Sequence, residues 1–261
     1  MNVRGKKMLL TAAALSTVMA AEHALSAPIS LDSTKSVRTV SGTTNSRDDN
    51  NGGSNSTLYF LGINTGGVDN FILYDFDLSA LAGQTVTGDA TLTLGSSAAG
   101  SNDGSAADQV SVSAIFDDNA GWLEGTGTIL AGDNQTNGGA ASFLNRVQFN
   151  DDPGPAGGTT LQWLDDSGTP VANLLGAIGP ALDTQNGSIT GYTFTIAQAT
   201  VQDWIDNGFA GVVISAADID GSGSRFQVAT SSNLSFDAVP EPSSLALLGL
   251  GGLCVLRRRR A

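Results

Sequence analysis

Four stretches of the chain alternate apolar and polar residues one by one, and this alternation limits what the chain can become. Ala90, Leu92 and Leu94 are interleaved with Thr91 and Thr93, and Tyr192, Phe194 and Ile196 with Thr193 and Thr195. Val110, Val112, Ala114 and Phe116 alternate with Ser111, Ser113 and Ile115, and Leu234, Phe236 and Ala238 with Asn233, Ser235 and Asp237. Successive side chains leave opposite faces of a strand, so a period of two with one apolar face predicts half-buried antiparallel strands. Further strand-length runs are Thr57–Leu61, Phe71–Leu78, Val212–Ile214 and Phe226–Val228. The last two are expected to form a hairpin through the glycine-rich Asp220-Gly221-Ser222-Gly223. The sum predicts an all-β fold, an antiparallel β-sandwich around one core.

One segment departs from this pattern by forming a helix. Over Ala197–Asn207, Val201, Trp204 and Ile205 cluster at spacings of three and four, and Gly208 stands ready to end the helix. The helix is expected to cap one end of the sandwich. Residues 133–187 read as loop-rich, with Pro153-Gly154-Pro155 inside them and short strands predicted at Phe143–Phe149 and Thr160–Leu164. Ser41–Ser56 reads as a polar loop.

Both ends of the chain carry addresses. Arg4, Lys6 and Lys7 precede an apolar run from Met8 to Ala21, followed by small residues that suit signal peptidase. Residues 1–26 are therefore expected to leave as a signal peptide, taking His23, the chain's one histidine. At the other end, Pro240-Glu241-Pro242 precedes an uncharged run, Leu245–Leu256, and then Arg257, Arg258, Arg259 and Arg260. Two prolines around one residue predict an extended hinge that cannot continue a strand. A helix over Ser243–Leu256 is roughly 21 Å long against a hydrocarbon core of about 30 Å, a short transmembrane segment that arginine snorkelling and local thinning can accommodate. The four arginines suit an anionic cytoplasmic face and stop the segment there.

This order of motif, short apolar helix and basic tail over 239–261 resembles the PEP-CTERM sorting signal. The resemblance implies recognition by an exosortase, export to the cell envelope or extracellular matrix with transient anchoring by the C-terminal helix, and a setting in bacteria that make exopolysaccharide.

Between the two signals, 27–238 form the body. All of the 25 acids except Glu22 and Glu241 lie within Ala27–Val239, against the five bases Lys35, Arg38, Arg47, Arg146 and Arg225, so this part carries a net charge near −18. Such a surface repels nucleic acid and suits divalent cations. The one cysteine, Cys254, lies in the terminal apolar run. With neither histidine nor cysteine, the body lacks the parts for a Ser-His-Asp triad, a Cys-His pair or the usual zinc site. Carboxylate pairs remain, and glycoside hydrolysis needs only those. No catalytic residue is assigned, and the expected role is non-enzymatic.

The body also resembles a known family. Phe76-Asp77-Leu78-Ser79, Val86–Leu92, Trp122-Leu123-Glu124, Asn150-Asp151-Asp152-Pro153, Tyr192–Phe194, Val201–Trp204 and Gly211–Ile214 follow in an order similar to the DNRLRE domain, from about Thr57 to Ala238. The resemblance implies a jelly-roll-like β-sandwich of the kind appended to secreted polysaccharide-degrading enzymes, with carbohydrate binding in some members. Where that family often has Phe-x-Ser-Arg-Glu, this chain reads Phe226-Gln227-Val228-Ala229-Thr230.

Two kinds of site are candidates. Asp218, Asp220 and Ser222 space oxygen ligands around a tight turn, either as a structural Ca²⁺ loop or as a plain turn, and Asp117-Asp118-Asn119 and Asp48-Asp49-Asn50 are similar short acidic loops. Sugar binding needs aromatic rings lying flat against a C–H face; Trp122 and Trp163 are the candidates, and Trp204 is assigned to the core. The expected function is that of a secreted surface or matrix protein that binds carbohydrate, with exopolysaccharide of the matrix as the expected partner. The alternatives are a structural or adhesive protein without a sugar ligand and a polysaccharide-cleaving enzyme.

Overall fold

The computed structural model describes residues 26–41, 46–48, 58–64, 68–96, 108–124, 141–147, 159–186, 191–217, 219 and 226–240. The first strands are β1 (Ala27–Asp32), β2 (Lys35–Val40), β3 (Ser46–Asp48), β4 (Leu58–Asn64) and β5 (Val68–Phe76). Next come β6 (Gln84–Val86), β7 (Ala90–Ser96), β8 (Gln109–Ile115), β9 (Asn145–Val147) and β10 (Leu161–Leu164). The last are β11 (Pro170–Val171), β12 (Ile178–Asn186), β13 (Thr193–Ile196), β14 (Ala210–Ala217) and the long β15 (Phe226–Pro240). Helix α1 spans Gln198–Asn207.

All pairings among the described residues are antiparallel, and most of them build two sheets that face each other. One runs β3-β2-β5-β14-β8-β12. In the other, β15 is flanked by β7 and β6 on one side and by β1 on the other, with β13 outside β7. β4 belongs to both: Leu58–Leu61 pair with β15, and Gly62–Asn64 pair with β5. The sequence-predicted hairpin across Asp220–Gly223 is corrected here, because β14 and β15 lie in different sheets and do not pair. Glycine and short polar residues mark a turn, but they do not say whether the chain returns beside itself or crosses over.

The alternating stretches behave as their pattern requires. Leu92, Leu94, Phe194, Ile196, Leu234 and Phe236 point inward from one sheet and meet Ile72, Tyr74, Val110, Val112, Val212 and Ile214 from the other. Strands β5 and β14 do not alternate in burial. Phe71 through Phe76 are all buried, and so are Ala210 through Ile214. Their second face is covered by a third layer made from the region that reads as loops.

This third layer contains a second core. Val37, Phe71, Leu73, Ile115, Phe209 and Val213 on the outer face of the β5 sheet pack with Trp122, Phe143, Trp163, Leu174 and Ala177. Phe71 and Phe143 stack with centroids 5.6 Å apart, and the small sheet β11-β10-β9 lies in this cover. The expectation of one core is thus corrected to two. Lys35 ties the cover down: its ammonium lies 2.7 Å from Asp75, donates to the Trp122 carbonyl at 3.3 Å and sits 4.9 Å from the Trp122 ring centroid.

Candidate functional site

An open groove of about 690 Å³ lies where α1, the end of β8 and the cover meet. Its wall on the helix is Ala199, Thr200, Asp203 and Trp204; the opposite wall is Ala114–Asp118, and Asp166 closes the rim. Each carboxylate is placed by local structure. β8 ends in a single 3₁₀ turn, Asp117–Asn119. The buried Asn119 holds that turn against β10, donating to the Leu164 carbonyl at 2.8 Å and accepting from its N–H at 2.9 Å. Asp166 sits in a tight turn where Asp165 accepts from the N–H groups of Ser167 and Thr169, both at 2.9 Å.

The groove is acidic. Burial pushes the Asp117 carboxyl above its ordinary value, with Asp203 the next cause; Asp118 and Asp166 act in the same direction. Asn207, donating to Asp117 at 2.6 Å, opposes them. Phe116, half-buried, adds an aromatic ring to the wall. The arrangement therefore offers hydroxyl acceptors beside apolar surface. Among the described residues no three acidic, histidine or cysteine side chains converge closely enough to hold a metal ion.

The sequence-predicted residues fall elsewhere. Trp122 and Trp163 are both fully buried, so the expectation that either ring faces a sugar is corrected for this conformation. Trp163 donates its indole N–H to the Ser142 carbonyl at 2.9 Å, and both rings fill the second core because the outer face of β5 and β14 is too apolar to stay wet. Trp204 is buried, as expected of a core residue. Asp218, Asp220 and Ser222 lie outside the described residues. Between them, the Ile219 N–H donates to the buried Asp108 at 3.0 Å, a contact that no spacing announced. In the sequence Asp117 and Asp118 read only as a short acidic loop; Asp203 and Asp166 come from distant segments and carry no signal of their own.

At the C-terminus, β15 continues to Pro240, which lies opposite Gln84 of β6. The hinge expectation is corrected by the register. The Thr87 N–H donates to the Asp237 carbonyl, so strict alternation makes Thr85 and Val239 the next hydrogen-bonded pair and leaves Pro240 in a non-hydrogen-bonded one. A residue without an N–H loses nothing there. Glu241, Pro242 and Arg257–Arg260 lie outside the described residues, and no helix among the described residues is long and apolar enough to cross a membrane.

Residues 238–260 match the PEP-CTERM protein-sorting motif. The PEP-CTERM motif marks the protein as exported, envelope-associated and processed by an exosortase. The matched segment begins inside β15, so the PEP-CTERM signal overlaps the sandwich by three residues. No curated protein matches the chain.

Proposed function

We propose that the body is a non-enzymatic surface or matrix protein that binds carbohydrate in the groove between α1 and β8. The observation that carries this reading is the groove's lining: four carboxylates from three separate segments beside the ring of Phe116. Carboxylate oxygens accept from sugar hydroxyls, and an aromatic ring meets the apolar C–H face. On this reading the body is a DNRLRE-like, jelly-roll-like sandwich, released from its signal peptide by signal peptidase near Ala27, the residue at which β1 begins. A structural Ca²⁺ at Asp218, Asp220 and Ser222 belongs to the same proposal.

The test is affinity electrophoresis of the exported body on a panel of neutral and acidic polysaccharides, with and without chelator. Retardation on some member is expected, weakened at least about tenfold by Asp203→Asn, which removes an acceptor without disturbing the core. No retardation across the panel favours the second reading, a structural matrix protein without a sugar ligand, which the interior placement of all three tryptophans supports. A raised carboxyl at Asp117 beside further carboxylates is also what carboxylate-only glycoside hydrolysis requires. The same panel is therefore assayed for new reducing ends, and their appearance would replace binding with catalysis.

A further inference from the structure

The start of the sorting motif is not a free tail. Ala238, Val239 and Pro240 pair with Val86, Thr85 and Gln84 of β6. β6 is only three residues long, and its other edge faces α1, where two glutamines on one face take the place of a neighbouring strand. Gln202 accepts from the Val86 N–H at 2.9 Å and donates to the Gln84 carbonyl at 3.2 Å. Gln198 donates to the Val86 carbonyl at 2.6 Å. The helix is itself seated by Asp89, which accepts the Gln198 N–H at 2.9 Å. On its far side β15 is held by β1, with Ala27 opposite Ala238. The last residue before Glu241 is thus inside a sheet, and a peptidase that binds its substrate in an extended cleft needs several residues on each side of the motif free of other partners.

We propose that this clasp gates sorting: while β6, braced by Gln198 and Gln202, holds Ala238–Pro240, exosortase processing is slow, and it proceeds through fraying of the end of β15. The proposal rests on the reading of the protein as an exosortase substrate. Fraying of a strand end is an ordinary local opening, and its population rises as hydrogen bonds that secure the end are removed.

The test follows the full-length chain in an exosortase-bearing host by pulse labelling, with mass spectrometry of the C-terminus over time. Two variants are compared with the parent. Gln198→Leu with Gln202→Leu removes the brace on β6. A flexible Gly-Ser linker of about six residues between Val239 and Pro240 keeps Ala238 and Val239 in register with β6, gives up only the Pro240–Gln84 pair and moves the motif clear of the sheet. Both are expected to be processed at least about fivefold faster: the glutamine variant because β6 loses three bracing hydrogen bonds, and the linker variant because its motif needs no opening of β15. Processing of the linker variant at the parent rate overturns the gate and leaves the exosortase reading standing, whatever the glutamine variant does. Retention of the C-terminal segment by the parent and both variants overturns that reading and the gate together.

Discussion

At the scale of single residues, the carboxylates that matter are the few that burial or a hydrogen bond moves from their ordinary value. Asp75 is buried, and its carboxyl is pushed up because desolvation outweighs the hydrogen bond and the charge of Lys35. Asp77 and Asp165 are shifted the other way, first by hydrogen bonds from Ser79 and Ser167 respectively. Asp117 gives the sharper test. Its folded value is raised above the ordinary 3.8 by burial and then by Asp203. The native state therefore holds that proton more tightly than the unfolded chain does. Its favourable contribution is fully present below the unfolded value and is lost as pH rises through the raised folded one. Asp117→Asn cannot ionise and keeps an acceptor for Asn207. Relative to the parent, it should gain stability on going from about pH 3 to about pH 7, read from urea midpoints at the two values. An equal difference at both would mean that Asp117 is not held above its unfolded value.

Among the elements, α1 shows how a short helix is placed by its surroundings more than by propensity. It has no side-chain cap of its own at Ala197; Asp89, from the turn before β7, supplies the acceptor at its N-terminus. Its apolar residues Val201, Trp204 and Ile205 join the inner core, and its glutamines protect the edge of β6, which would otherwise present unpaired backbone. Its end is set by Gly208, at φ +74° with its N–H on the Trp204 carbonyl. A Cβ there would meet no atom within 4 Å, so Gly208→Ala isolates the backbone cost of the left-handed conformation. The loss should be about 1 kcal/mol, seen as a fall in Tm of about 2–4 °C for a body of this size. A larger fall would mean that the space is not open.

For the whole molecule, two cores on opposite faces of one sheet make a testable hierarchy. The inner core joins both sheets, whereas the outer one joins one sheet to the cover. Trp163→Ala should cost about 3–5 kcal/mol and expose the cover to limited proteolysis within 116–178 while the fragment holding β14 and β15 stays protected. Leu234→Ala, in the inner core, should raise cleavage across both sheets together, and mass spectrometry of the fragments separates the two patterns. The sequence by itself determined the strands that meet water on one side, because there a period of two is the whole of the physics: Leu92, Phe194 and Leu234 each turn inward as their neighbours predict. It also determined the helix, its stop at Gly208 and the terminal sorting motif, which are local signals readable within a few residues. Only the tertiary structure decided that Phe71–Phe76 is covered twice, that Trp122 and Trp163 are interior, and that Pro240 ends a strand. It likewise decided that Asp117, Asp166 and Asp203 share a groove. Each of these depends on which distant segment arrives at a given face, and that is set by the burial of the whole apolar surface at once, not by any spacing along the chain.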